Sequence, residues 1–128
     1  MNPKIAIVDD DTIFQFTTKV KIQKLGLASN IQIFNDGEEI MDYLIKVESI
    51  ECPDIILLDI NMPMMDGWDF LEEYEKHLGG SESKIKIYML SSSINPVDVD
   101  KAKSNKLVDD YIIKPIKDED LFRIFEKS

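Results

Sequence analysis

The chain has 128 residues, 44% of them apolar, which is enough for one domain with a sizeable buried core. Fifteen basic against twenty-five acidic residues leave a formal charge of −10, which disfavours autonomous binding to DNA or to an anionic membrane. There is no apolar run of roughly 18 residues to span a membrane and no cleavable signal pattern. The lone Cys52 excludes an intrachain disulfide or a thiolate cage and suggests a reducing, cytoplasmic setting.

KIAIV (4–8) reads as a buried strand running into Asp9, Asp10 and Asp11. Asp11 or Thr12 can then cap a helix through Leu25, with Ile13, Phe16 and Val20 on its inward face and Gly26 as the stop. IQIF (31–34) alternates as a second strand. Asp36, three residues before Glu39, makes a capping-box-like start to a helix in which Ile40, Leu44 and Val47 recur at helical spacing. DIILL (54–58) is a third buried strand and runs into Asp59. Asp66 precedes a helix that turns Phe70, Leu71, Tyr74 and Leu78 inward and stops at Gly79-Gly80.

IKIYML (85–90) ends on Ser91, Ser92 and Ser93. Asn95-Pro96 opens a fourth helix, Asn as cap and Pro at the first helical position. Only Val97, Val99 and Ala102 give it an apolar face, so it is expected to be loosely held. YII (111–113) ends on Lys114, and a last helix from about Asp118 packs Leu121, Ile124 and Phe125.

Strand and helix alternate five times, which implies an α/β fold with a parallel sheet covered on both faces. In such open sheets ligands bind outside the carboxyl ends of the strands. Those ends here carry carboxylates, a hydroxyl and an ammonium, a set suited to a cation and a phosphoryl group.

IVDDD (7–11), LLDINMPMMDGWDFL (57–71), MLSSS (89–93) and YIIKPI (111–116) stand in the order and spacing of one family. Over essentially its full length the chain resembles the receiver domain of two-component response regulators. The resemblance implies a flavodoxin-like doubly wound (βα)5 fold with a five-stranded sheet of order 2-1-3-4-5. It implies one receiver domain over 1–128 with no output domain, acting as a signalling protein rather than an enzyme. Asp59 would be the phosphoacceptor. Asp10 and Asp59 would bind Mg²⁺ directly, Asn61 would add its backbone carbonyl, and Asp9 would act through water. Lys114 and Ser91 would each meet a phosphoryl oxygen, Ser91 and Tyr111 would form the switch, and Asn61 and Ser93 would tune phosphate lifetime. Lys114-Pro115 is cis in the family. The implied partners are a histidine kinase or histidine phosphotransfer domain, docking near the first helix, and a downstream protein target. No nucleic acid or membrane is expected to bind, and the protein would be a monomer or a phosphorylation-dependent dimer.

Several residues also have plainer readings. Asp11 reads as a helix cap, His77 as a surface or capping residue, and Trp68, Met62, Met64 and Met65 as packing or loop residues. Tyr111 is equally a half-buried strand tyrosine. Ser91 stands where the family more often has Thr; it keeps the hydroxyl but loses the methyl and its χ1 restraint. An aspartyl-phosphate hydrolase would need an acid where Asn61 stands. An FMN-binding flavodoxin would need a Ser/Thr/Gly-rich loop where Asp9 to Asp11 would repel the phosphate. The remaining alternative is a receiver-like interaction module that works without phosphorylation.

Overall fold

The computed structural model describes residues 3–46, 51–78, 85–92 and 94–126. Five strands and five helices alternate along the chain: β1 (Lys4–Val8), α1 (Thr12–Lys24), β2 (Asn30–Phe34), α2 (Gly37–Lys46), β3 (Ile55–Asp59), α3 (Gly67–Leu78), β4 (Lys86–Ser91), α4 (Pro96–Ser104), β5 (Val108–Ile113) and α5 (Asp118–Glu126). All strand pairs are parallel, in the order β2-β1-β3-β4-β5, the doubly wound order expected above. No helix among the described residues is long and apolar enough to cross a membrane.

Strand side chains alternate between faces, and here both faces are apolar. Ala6, Val8, Ile56, Leu58, Ile87 and Met89 join α2 and α3 in one core through Ile40, Leu44, Phe70 and Leu71. Their neighbours Ile5, Ile7, Ile55, Leu57, Tyr88 and Leu90 join α1 and α5 in the other through Phe14, Ile22, Leu121 and Ile124. Every residue of β3 is buried, whereas the edge strand β2 is only partly covered.

The helix starts follow the expected caps. Asp11 Oδ1 accepts the Ile13 and Phe14 N–H groups at α1. Asp36 accepts from Glu39 N–H and Asn95 from Val97 N–H. Asp66 and Asp69 cap each other's N–H groups at α3. Phe70, Leu71 and Tyr74 point inward as expected, while Val47 and Gly79-Gly80 fall outside the described residues.

Helix α1 departs from its expected face. Ile13, Phe16 and Val20 point to solvent, at 74%, 67% and 40% exposure, while Phe14, Gln15, Thr18 and Ile22 are buried. The cause is phase. Asp11 fixes where the first turn begins, and Phe14 and Ile22 supply apolar anchors on the resulting inner face. The polar Gln15 beside them is tolerated because the loop after β1 satisfies its amide. α4 is thin in the expected way, with only Ala102 buried. It is held from α3 instead: Trp68 Nε1 donates to Asp98 Oδ1 at 3.2 Å, and Lys101 Nζ lies 5.2 Å from the Trp68 ring centroid.

Gly67 joins this scaffold to the strand ends. Its N–H donates to Ile60 O at 2.9 Å, and a Cβ there would meet Asp59 O at 2.8 Å, Met89 Cε at 2.9 Å and Ile60 Cα at 3.0 Å. Two of those three atoms are backbone, so relief requires moving the end of β3. Gly67→Ala is therefore expected to lower stability by about 1–3 kcal/mol, the usual range for overpacking. Urea unfolding should show a lower midpoint with an unchanged slope; an unchanged midpoint would refute the close approach.

Candidate functional site

The sheet register brings the strand ends level. Val8 pairs with Leu58, Asp59 with Leu90 and Ser91 with Ile113, so Asp9, Asp59, Ser91 and Lys114 share one edge. Asp9 is fully buried. Its N–H donates to Phe34 O at 3.0 Å and its Oδ1 accepts the Asp11 N–H at 2.9 Å. Asp9 Oδ2 lies 2.5 Å from Lys114 Nζ and, among the described residues, makes no hydrogen bond besides that ion pair. The same ammonium reaches Asp59 Oδ1 at 3.3 Å and stands 4.5 Å from the Phe14 ring centroid, a cation–π position. The Lys114 N–H donates to Ser91 O at 2.7 Å, and the Lys114-Pro115 bond is cis, as the resemblance implied.

Electrostatics follow from burial. Loss of water pushes the Asp59 pKa up from 3.8 to about 6, with the Asp9 charge adding to the rise. Lys114 and the Asn61 backbone N–H oppose it. Burial by itself would lower the Lys114 pKa, but the contacts with Asp9 and Asp59 outweigh it and leave the ammonium more firmly protonated than usual. Asp10 stands on the exposed side of the cluster, and carboxylate oxygens of Asp9, Asp10 and Asp59 come within 4.8 Å of one another. Three carboxylates facing one ammonium leave two negative charges in excess. An all-oxygen set with excess negative charge and the otherwise unbonded Asp9 Oδ2 suits a hard divalent cation such as Mg²⁺.

The other candidates are distributed around this edge. Ser91 is buried at the end of β4, Asn61 is exposed after β3, and Tyr111 is half-buried in β5 beside Met89. Ser93 lies outside the described residues. Met62 is buried, and Met64 adopts a left-handed φ of 69° at the exposed tip of the β3–α3 loop. His77 makes a surface contact with Glu73 at 3.2 Å. Two features escaped the sequence reading, the Trp68–Asp98 contact and the buried Gln15. A polar residue one turn beyond a cap, flanked by phenylalanines, was the available signal for the second.

Comparison with known proteins agrees with this geometry. The response regulator receiver domain family matches residues 5–126. The chain is 31% identical over 127 residues to a probable methanogenesis regulatory protein, FilR2, of Methanothrix harundinacea, covering 96% of this chain and 79% of that protein. It is 31% identical over 125 residues to the nitrate/nitrite response regulator protein NarL of Escherichia coli, covering 97% of this chain and 53% of NarL. The chain spans about half the length of NarL and of several other curated relatives that it matches. A two-component response regulator from Cytophaga hutchinsonii has the same fold at a TM-score of 0.92 and 29% identity, with 99% of this chain and 97% of that chain covered.

The raised Asp59 pKa predicts a pH dependence for the metal-free protein. The native state holds this proton where the unfolded chain has lost it. Asp59 therefore contributes stability that is present below the unfolded value and lost as pH rises from about 4 to about 6. Asp59→Asn should unfold at higher urea than the parent at neutral pH, by on the order of 2 kcal/mol, and the gap should close toward pH 4. Parallel urea curves in chelator measure it; a variant less stable than the parent at neutral pH would contradict the assigned burial cost.

Proposed function

Because this chain belongs to the response regulator receiver domain family of two-component systems, we propose that it accepts a phosphoryl group from a phosphohistidine donor onto Asp59. The observation that carries the reading is the convergence of Asp9, Asp10, Asp59 and Lys114 on one sheet edge. With a pKa of about 6, Asp59 is mostly ionised at neutral pH, so one of its carboxylate oxygens is available to attack phosphorus. A P–O bond forms as the P–N bond to the donor imidazole breaks, and the electron pair leaves with the imidazole. Most of the catalytic work is positioning and charge neutralisation. Lys114 supplies a fixed positive charge beside Asp59, and the buried Ser91 stands at the neighbouring strand end to donate to a second oxygen.

Asp10 and Asp59, with the Asn61 carbonyl and with Asp9 behind them, would hold Mg²⁺. The ion would supply positive charge between the carboxylates and the phosphoryl oxygens. Asn61, exposed two residues after the acceptor, would influence how water reaches the acyl phosphate. Ser91 and Tyr111 would carry the change toward α4, the least buried of the described helices and so a candidate for local rearrangement.

The outward apolar residues of α1 give the donor a place to sit. Phe16, Val20 and Leu25 line a groove of about 380 Å³ flanked by Lys21 and Asp118. An amphipathic helix of a histidine kinase or phosphotransfer domain fits such a surface. The output would be a protein target; the charge of −10 speaks against DNA as the partner of this domain itself.

Treatment with a small phosphodonor and Mg²⁺ should add one phosphoryl group to the parent by intact mass and none to Asp59→Asn. Incorporation at the parent level in the variant would exclude Asp59. A parent that stays unmodified yet binds a kinase or target would favour the phosphorylation-independent module. Mg²⁺ should also raise the parent's unfolding midpoint, by about 2.7 kcal/mol of stability at a hundredfold excess over the dissociation constant. Asp10→Ala should remove most of that rise; an equal rise would exclude Asp10 as a major ligand.

A further inference from the structure

Gln15 is an amide turned into the molecule from the first turns of α1, only 8% exposed. Its Nε2 carries two N–H donors and both are used: one goes to the backbone carbonyl of Asp9, the other to Asn35 Oδ1 at 2.9 Å. Asn35 is itself held at the start of α2, where its backbone N–H and its Nδ2 donate to the Glu39 carboxylate at 3.0 and 3.2 Å. The Asp9 N–H meanwhile donates to Phe34 O. Both backbone groups of Asp9 are thus tied to the end of β2, one directly and one through Gln15.

This matters most for the next residue. Asp10 is exposed, and no hydrogen bond or ion pair among the described residues holds its carboxylate. Its position therefore depends on the backbone either side of it. On one side Asp9 Oδ1 fixes the Asp11 N–H; on the other Gln15 fixes the carbonyl of the Asp9–Asp10 peptide. We propose that Gln15, braced by Asn35, is a positioning residue that sets the Asp9–Asp10 peptide and so the affinity of the acidic cluster for Mg²⁺. The inference rests on the reading of that cluster as a cation site. A plain space-filling role would explain a buried side chain at this position. It would not explain an amide whose two donors join the loop after β1 to the loop after β2. Partners of this outer kind orient the ligands themselves, and losing one typically costs 10–100-fold in metal affinity.

The test is a Mg²⁺ titration of the metal-free protein followed by backbone amide shifts around residues 9–11. It compares the parent with Gln15→Met, Asn35→Ala, the double variant and Thr18→Val. Thr18 is buried on the same helix face and serves as a packing control. Gln15→Met, close in size but without donors, should raise the dissociation constant about tenfold. Asn35→Ala should raise it less, and the double variant should match Gln15→Met because Asn35 acts through Gln15. Thr18→Val should lower the unfolding midpoint while leaving the Mg²⁺ constant within twofold of the parent. If Gln15→Met and Asn35→Ala both bind Mg²⁺ within twofold of the parent, the proposal is wrong. Should Gln15→Met fail to fold, Asn35→Ala decides alone, and unchanged affinity there overturns the brace. A parent with no saturable Mg²⁺ response is a separate result that removes the cation site and this inference together.

Discussion

Asp9 and Asp59 are buried side by side, and the Lys114 ammonium is what makes that arrangement tolerable. Two unit charges about 4 Å apart near a protein surface interact by roughly 4 kcal/mol, several times the net value of one hydrogen bond. The ammonium stands 2.5 Å from Asp9 and 3.3 Å from Asp59. Burial, with the Asp9 charge beside it, pushes the Asp59 pKa up to about 6, and Lys114 offsets part of that rise. The rest of the fold serves this contact. The sheet sets β1 beside β3, with β5 two strands further on, and so brings these three side chains together at one edge.

Holding like charges together needs a stiff support, and the two apolar cores provide it. β3 is buried along its whole length, and the loop that follows it is tied back by Gly67 against the backbone of Asp59 and Ile60. Stiffness fades outward. β2 is partly covered, and α4 contributes only Ala102 to the interior while relying on Trp68 for a polar clasp. Local openings are expected at such sparsely buried elements rather than in the central strands. The described residues combine a fully buried strand leading into the acidic cluster with a sparsely buried flank at α4.

How much of this could be read from the chain alone depends on the kind of interaction. Strands that are buried on both faces announce themselves as apolar runs, so KIAIV and DIILL, and the Asp residues at their ends, were plain. Caps at Asp11, Asp36 and Asn95 were visible because they are local in sequence. The face of α1 was misread because apolar residues lie on both of its sides, and the phase is set by the Asp11 cap together with the Gln15 contact to Asp9. The Gln15–Asn35 and Trp68–Asp98 pairs join residues 20 and 30 positions apart. Nothing in periodicity or spacing marks such pairs.

The misread face of α1 also links the packing to the proposed activity. Turning Ile13 and Phe16 outward, with Val20 partly so, forgoes part of the roughly 1.5–3 kcal/mol that fully burying each such side chain would contribute. A chain selected for stability alone would place polar residues there. The same rotation aims Gln15 at the Asp9 carbonyl and Phe14 beneath the Lys114 ammonium. One helix phase therefore both builds the inner side of the acidic pocket and leaves Ile13, Phe16 and Val20 facing solvent. On the phosphoacceptor reading the two needs would be one: a donor helix seated on α1 would rest on the same turn of helix that ties Gln15 to the Asp9 carbonyl and sets Phe14 beside Lys114.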